Sequence, residues 1–484
     1  MARSYRTFRT SPNASANALV AYGYDGQARG AQGAAGPAWG PAMRPRRRTF
    51  WTLLAALSPP LDGLYGFCLF AAMLFVQQLG SLAGLLIAIL PIGYAVMRRR
   101  SYFQALRSNL ILFAFPVFAI VSTIWSESPA ASARYGAELL LTVAGAIVLV
   151  AARREAALLK GILCAFILYG LGSMAFGHSV GVGVGDGGTA FVGLGDGKNM
   201  MADISSIGLI VAITVLALSI ARRTWGWGVI SLGAVALELY LVFAARSAGA
   251  ILGLFGALVS VVLVLVACGA PRYVRMGLVA VLTISAGIFA AMFKDLVQVL
   301  LNIGVSLFDK DATLTGRTYL WYRANDLIAE KPFLGRGFSA FWQQGNPDAE
   351  GLWQYAGILN RSGFNFHNTP TEIVVEVGYV GLAIFLAMVL LGLFGLIRHY
   401  VNRPSLTLCF WFGLTAYFLI RAPFEAFGTA AFYYSTALIF AAIGVAMQPA
   451  PAPLRIRAVR RLPMARPGTR TRPTGMQPRW GMAR

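Results

Sequence analysis

Apolar runs of about 20 residues recur along most of this chain, and that recurrence constrains its fold more than any other feature. Hydrocarbon offers no partner to a backbone N–H or C=O, so a crossing segment closes its own hydrogen bonds as a helix or belongs to a sealed barrel. The runs are continuous rather than alternating, which selects helices. Composition agrees: 57% of the residues are hydrophobic and 12% charged, and a soluble protein carries about twice that charged share. The sequence therefore predicts an all-α polytopic membrane protein with about 12 transmembrane helices. They fall near residues 62–79, 81–97, 110–125, 137–152, 160–177, 200–220, 227–244, 249–268, 276–293, 371–397, 406–421 and 430–447.

The net charge of +22 raises nucleic acid as a partner, but its placement argues against one. Arginine fills the two tails ("MARSYRTFRT" and "RPRRR"; "RIRAVRRLPMARPGTRTRP") and the loops "RRRSYFQALR", "RREAALLK", "ARRTW", "PRYVR" and "RHYVNR". With the tails, these segments hold 30 of the 41 Lys and Arg residues. The positive-inside rule then places them, and both termini, in the cytoplasm. Residues 1–55 and 449–484 read as disordered basic tails flanking a membrane domain over 60–447. No cleavable signal peptide is expected, because a long Gly/Ala/Arg-rich stretch precedes the first span. Cys68, Cys164, Cys268 and Cys409 lie inside expected spans at no metal-site spacing and read as packing residues.

Residues 294–370, between expected spans nine and ten, form a periplasmic loop far longer than an ordinary connection, which marks it as functional. It holds an apolar stretch, "LVQVLLNIGVSLF", suited to the membrane surface. "TYLWYRANDLIAE" reads as an amphipathic helix ended by Lys331–Pro332, and "PFLGRGFSAFW" has glycines suited to turns.

The chemistry gathers at the outer helix ends. Lys198 and Asn199 precede span six, Arg246 and Ser247 follow span seven, Arg317 lies in the long loop, His367 and Asn368 precede span ten, and Arg421 and Glu425 follow span eleven. Cations on the side that the charge rule leaves poor in them require a reason. Arginine grips phosphate oxygens through paired hydrogen bonds, and helix N-termini add partial positive charge, so the set suits a lipid diphosphate. His367 beside it suits proton removal from an attacking hydroxyl. Those parts suffice for glycosyl transfer with no metal and no cofactor.

Plainer readings stand beside these. "TPTE" fits a helix start, with Thr369 as N-cap, Pro370 in the first turn and Glu372 closing a capping box, so Glu372 is either structural or catalytic. Glu376 reads as a partner to a neighbouring helix. His178 and His399 read as ordinary residues. Glu238, in mid-span, is either a charge partner within the bundle or a proton-handling group. "GVGVGDGG" lacks the strand–helix frame of a nucleotide loop. No His/Cys ligand set for a metal is present.

"GKNMMAD" (197–203), "ARSAGA" (245–250), "TLTGRTYLW" with "KPFLGRGFSAFW" (313–342), and "FHNTPTEIVVEVGYVGL" (366–382) together resemble the O-antigen ligase and polymerase superfamily, especially its exopolysaccharide-production branch. "IWSESPAASARYG" (124–136) is similar to a recurring outer segment of that superfamily. The resemblance implies a GT-C-like glycosyltransferase in the bacterial inner membrane that moves glycan from an undecaprenyl-diphosphate carrier to a hydroxyl acceptor. It implies diphosphate binding by Arg246 and Arg317, with Lys198 and Arg421, and catalysis by His367, with Glu372. Asn199, Asn368 and Glu425 support them. Implied partners are the undecaprenyl-diphosphate-linked glycan, membrane lipid, and the flippase and chain-length regulator proteins of polysaccharide export. "TLTGRT" leans toward a polymerase of lipid-linked repeats over a ligase acting on lipid A core. A twelve-span transporter is the rival of another class, but transporters usually show related halves and midplane sites. A scaffold without chemistry would tolerate loss of Arg246 and Arg317 together.

Overall fold

The apolar runs are helical, as their own backbone bonding in lipid requires. α1 (Leu61–Leu74), a short turn α2 (Val76–Leu79), α3 (Ser81–Met97), α4 (Arg99–Ser108), α5 (Ala114–Val121), α6 (Pro129–Ala151) and α7 (Glu155–Phe176) come first. α8 (Lys198–Arg222), α9 (Trp225–Ala244), α10 (Ala248–Gly269) and α11 (Arg272–Ala291) follow. α12 (Arg317–Glu330) and α13 (Pro347–Ala356) lie in the long loop, and α14 (Thr369–Asn402), α15 (Leu408–Arg421) and α16 (Tyr434–Met447) close the bundle. This computed structural model describes residues 61–181, 188–291, 317–361 and 363–448. The expected tails, residues 182–187 and most of the stretch leading to Arg317, "LVQVLLNIGVSLF" included, lie outside the described residues.

Among the described residues, six helices (α6 to α10 and α14) are long and apolar enough to cross a membrane, and the bent pair α3–α4 makes a seventh if counted as one. The protein is therefore a multi-pass helical membrane protein. Several of the other expected crossings, α1, the α5 segment, α15 and α16, are shorter apolar helices. α8 is central: 72% of its apolar window is buried in protein, against 28% for its neighbour α9.

The structure departs from the sequence reading in four places. The fold is not wholly helical, because β1 (His178–Gly181) pairs antiparallel with β2 (Thr189–Gly193). "TAFVG" carries the β-branched and aromatic residues a strand favours, a signal the neighbouring glycines obscured. The segment "RRRSYFQALR" is mostly helix rather than loop: α4 turns 113° from α3, as its charge requires once the apolar run ends. The described part of the long loop, 317–361 and 363–370, goes beyond the one expected amphipathic helix and has a core of its own. Leu320, Ala324 and Leu327 of α12 pack with Phe341, Trp353 and Phe366 in a core of their own, which Val375 of α14 joins.

The fourth departure is a break in α14. Gly378 has φ 69° and ψ −176°, outside the helical region. The groups freed there are taken by "PFLGRGF": Tyr379 and Val380 donate to the carbonyls of Pro332 (2.8 Å) and Phe333 (3.2 Å), and Arg336 and Gly337 donate to those of Val375 (3.0 Å) and Glu376 (2.8 Å). A Cβ on Gly378 would stand 2.1 Å from Phe333 O, so only glycine fits. The same segment bonds to the turn before α6, where Trp125 Nε1 donates to Leu334 O at 2.8 Å and Arg336 pairs with Glu127 at 2.6 Å. The folded unit is thus fastened to two parts of the bundle.

Candidate functional site

α15 and α16 have 14 residues each. At 1.5 Å per residue such a helix rises about 21 Å, short of the roughly 30 Å of hydrocarbon in a bilayer. The chain joining them, 422–433, is irregular backbone, tolerated at depth only where protein satisfies it. The start of α14, with Arg317 of α12, does so. Thr369 N donates to Ala422 O (2.8 Å), Asn368 Nδ2 to Pro423 O (3.2 Å), Arg317 Nη1 to Phe424 O (2.7 Å) and Thr369 Oγ1 to Glu425 O (2.7 Å).

That fastening sets Glu425 at the hub of a polar cluster. His367 Nδ1 is 2.8 Å from Glu425 Oε1. On Oε2 converge Asn199 Nδ2 (3.3 Å), Arg421 Nη2 (3.5 Å) and Arg317 Nη2 (3.7 Å). Ser247 Oγ donates to Asn199 Oδ1 at 3.0 Å, which ties the start of α10 to the cluster. Burial alone would raise the Glu425 carboxyl. The His367 hydrogen bond and charge, with Arg421 and Arg317, outweigh it and hold Glu425 below the ordinary glutamate value. When the ring is neutral, an ionised Glu425 favours the tautomer with its proton on Nδ1, which leaves Nε2 as an acceptor. His367 itself sits at φ 50°, held by Asn365 Oδ1, which accepts from its N–H at 2.7 Å.

Arg421 is enclosed, with 1% of its side chain exposed. Its Nε and Nη2 lie 3.0 and 3.1 Å from the two oxygens of Asp203, to which the Tyr417 hydroxyl also donates. α10 makes room for it: a Cβ on Gly249 would stand 2.4 Å from Nη1, and one on Gly253 2.7 Å from Cγ. Asp203 thus occupies one edge of the guanidinium expected at the diphosphate. Arg317 differs. Burial pulls it below the ordinary arginine value, Glu425 opposing and Arg421 adding to the effect. A guanidinium so placed gains by meeting a further anion.

Arg246 is exposed and stands at φ 49° just past the end of α9, where helices usually place glycine. Its guanidinium reaches Gly188 beside β2: a Cβ there would be 2.5 Å from Nη1. It adjoins Ser247, and so the cluster, along the chain. Lys198 opens α8, one residue before Asn199. The structure thus brings Asn199, Ser247, Arg317, His367, Asn368, Arg421 and Glu425 into one bonded set, with Arg246 and Lys198 at its edge.

Glu372 has both carboxylate oxygens taken by neighbours. Its Oε1 accepts from Trp342 Nε1 (2.9 Å) and its Oε2 from Phe366 N (2.7 Å), while Trp321 Nε1 donates to Phe366 O (2.9 Å). Both oxygens serve the loop that carries His367. The expected helix start shifts accordingly: Asn368, not Thr369, is the N-cap, accepting from Thr371 N at 2.9 Å, and Glu372 reaches past the cap. Glu376 accepts from Ser339 N at 3.2 Å rather than pairing across the bundle. Glu238 is buried against Gly208 and, among the described residues, pairs with no basic side chain. His178 is exposed on β1, and His399 bonds Gln448 O (2.9 Å) near the opposite end of α14. Among the described residues no group of three His, Cys, Asp or Glu side chains is placed to hold a metal ion.

Reasoning from sequence gave no place in the cluster to Asp203 or Tyr417, and placed Thr369 only as an N-cap. A signal existed for Asp203: it lies four residues after Asn199, hence on the same helix face, in a segment of mean hydropathy 2.5. An apolar groove between α14, α15 and α16 begins beside the cluster at Thr369 and Ala422 and runs toward Leu396.

The family model described as O-antigen ligase matches residues 233–386. The chain is 30% identical over 378 residues to the exopolysaccharide production protein ExoQ of Rhizobium meliloti (strain 1021), covering 75% of this chain and 84% of that protein.

Proposed function

This chain belongs to the O-antigen ligase/polymerase superfamily, in its exopolysaccharide-production branch, and we propose that it polymerises lipid-linked oligosaccharide repeats at the outer face of the bacterial inner membrane. The donor is a glycan on undecaprenyl diphosphate and the acceptor is a sugar hydroxyl of the next lipid-linked repeat. The observation that carries this reading is the His367–Glu425 pair, 2.8 Å apart, ringed by arginines at one end of the bundle.

The roles follow from the geometry. Glu425 orients the imidazole and balances its charge as Nε2 takes the acceptor proton. The acceptor oxygen bonds the anomeric carbon while that carbon's bond to the diphosphate oxygen breaks. Arg317, Arg246 and Lys198 meet the charge that gathers on the leaving diphosphate, with the N-terminus of α8 adding to them. The proton passes from His367 to the departing diphosphate or to water. Arg421 acts from behind, holding Glu425. Asn199 and Asn368 fix Glu425 and the start of α14. Glu372 holds the His367 loop rather than handling the proton. The apolar groove beginning at Thr369 suits the polyprenyl tail. With the basic loops and both termini in the cytoplasm, the cluster faces the periplasm. A flippase would supply the substrate and a chain-length regulator would act on the product.

A second reading is ligation of glycan to lipid A core, which the family match to O-antigen ligase favours. Deleting the gene and analysing the lipid-linked intermediates separates the two. Polymerisation predicts accumulated single repeats; ligation predicts accumulated full-length chains on carrier lipid. If neither accumulates and surface polysaccharide is normal, the reading fails.

A further inference from the structure

The chain between α15 and α16 ends in a strained corner. Phe432 stands at φ 57°, a left-handed backbone that a bulky residue adopts only where its surroundings hold it there. Its N–H donates to Thr142 Oγ1 of α6 at 2.7 Å, and its ring packs on α3, where a Cβ on Gly84 would stand 3.2 Å from it. The corner delivers Tyr433, half-buried, just before α16. The tyrosine ring rests against that of Tyr434, with centroids 4.8 Å apart. The groups that act most strongly on its hydroxyl are Asp203, Tyr169, Glu425 and Asp196. That hydroxyl therefore stands at the cluster, yet it makes no hydrogen bond among the described residues.

Tyr433 and its neighbours differ in chemistry from the arginines. Asp196, exposed in the turn before α8, accepts from Gln77 Nε2. Tyr169 is 1% exposed, and its hydroxyl is unbonded too: Ser173 stands near it outside hydrogen-bond geometry. That oxygen lies at the same turn, 3.4 Å from where a Cβ on Gly195 would stand. This side of the cluster therefore holds carboxylates and two unpartnered phenols. Carboxylates repel a diphosphate. A sugar hydroxyl carries no charge, and it can donate to a carboxylate and accept from a phenol at once. Position selects which sugar. His367 bonds Glu425 at 2.8 Å, so a hydroxyl presented to the histidine lies beside the groups around Tyr433.

We infer that Tyr433 binds the acceptor sugar: its hydroxyl donates to an oxygen next to the reacting hydroxyl and turns the latter toward His367. The diphosphate then lies on the arginine side of the cluster and the acceptor on the phenol side. The inference rests on the glycosyl-transfer reading above, and it applies whether the acceptor is a lipid-linked repeat or lipid A core.

The test uses the full-length protein in phospholipid nanodiscs. A radiolabelled lipid-linked chain of two repeats is the fixed donor, and unlabelled lipid-linked single repeats from host cells are the varied acceptor. Initial extension of the label gives the acceptor KM and kcat. Tyr433→Phe is expected to raise the acceptor KM roughly tenfold, the loss of about one hydrogen bond, while the donor KM and the thermal melt stay as in the wild type. The ring contact with Tyr434 survives, and the lost hydroxyl bonds no described residue, so the variant folds. Inhibition by inorganic pyrophosphate probes the other side: it should be unchanged in Tyr433→Phe and weaker in Arg317→Ala. An unchanged acceptor KM in Tyr433→Phe overturns the inference. A rise in the donor KM or a loss of pyrophosphate inhibition in that variant also overturns it, because the phenol then belongs to the diphosphate. If the wild type extends no repeat but moves the label to lipid A core, the polymerase reading falls and the same comparison with core as acceptor decides the role of Tyr433. If it transfers to neither, both readings fall.

Discussion

The two ends of the bundle each bury an acid, and they use it differently. At the end carrying the basic loops, Asp62 is 1% exposed, and its oxygens accept from the Tyr94 hydroxyl (2.9 Å) and from Arg154 N at the start of α7 (2.9 Å). A neutral donor and an orphan helix N–H share that carboxylate, the pattern of a structural cap. At the other end, Glu425 is shared among a histidine, an asparagine and two arginines, two further cations adjoin it along the chain, and among the described residues nothing bonds the second imidazole nitrogen. A buried acid is thus no sign of function in itself. The sign is a surplus of donors around it, with one valence unspent.

This contrast can be broken experimentally, starting with its largest consequence. His367→Ala should lower polymer output by about 10²–10⁴-fold at normal protein level, the usual contribution of a positioned base; sizing surface polysaccharide by gel filtration checks this, and normal long chains would remove the catalytic role. Next, Arg421→Met leaves Asp203 buried without its cationic partner and should cost about 3–5 kcal/mol. The double variant Asp203→Asn/Arg421→Met should recover part of that loss in a thermal melt in detergent. Gly378→Ala should cost about 2 kcal/mol or more from strained backbone and the contact with Phe333 O, read by the same melt. At the opposite end, Tyr94→Phe should cost only about 1 kcal/mol and leave polymer output per molecule unchanged. The smallest effect concerns pH. Glu425 is held below its ordinary value, so its contribution to stability is complete above about pH 4.3 and is lost as pH falls through the lower folded-state value. Melts between pH 7 and 3 should show a decline at the acid end that Glu425→Gln lacks.

The helical architecture and most members of the cluster were legible in the sequence, because lipid leaves a chain few options and forces every charge to justify its position. Arg317 and His367 stood out as cations and a histidine on the side the charge rule leaves bare. What stayed hidden depended on pairing across the chain. Nothing local says that Arg421 faces Asp203, more than 200 residues away, and is therefore closed off. Glu372 looked like half of a capping box because the spacing fits, but Trp342 and Phe366 claimed its oxygens from outside that window. The glycines of "PFLGRGF" read as turns, because their task, closing the open helix at Gly378, is set by a segment some 40 residues on.

The shortness of α15 and α16 carries a consequence for the product. Leu386 and Leu419, which line the groove beside them, are each 44% exposed, so the groove is open along its flank. A doorway cut into a wall handles a rope of any length, whereas a closed chamber admits only what it can contain. On the polymerase reading, such a groove sets no ceiling on the product; length becomes a contest between one more addition and sideways escape of the carrier tail into the bilayer.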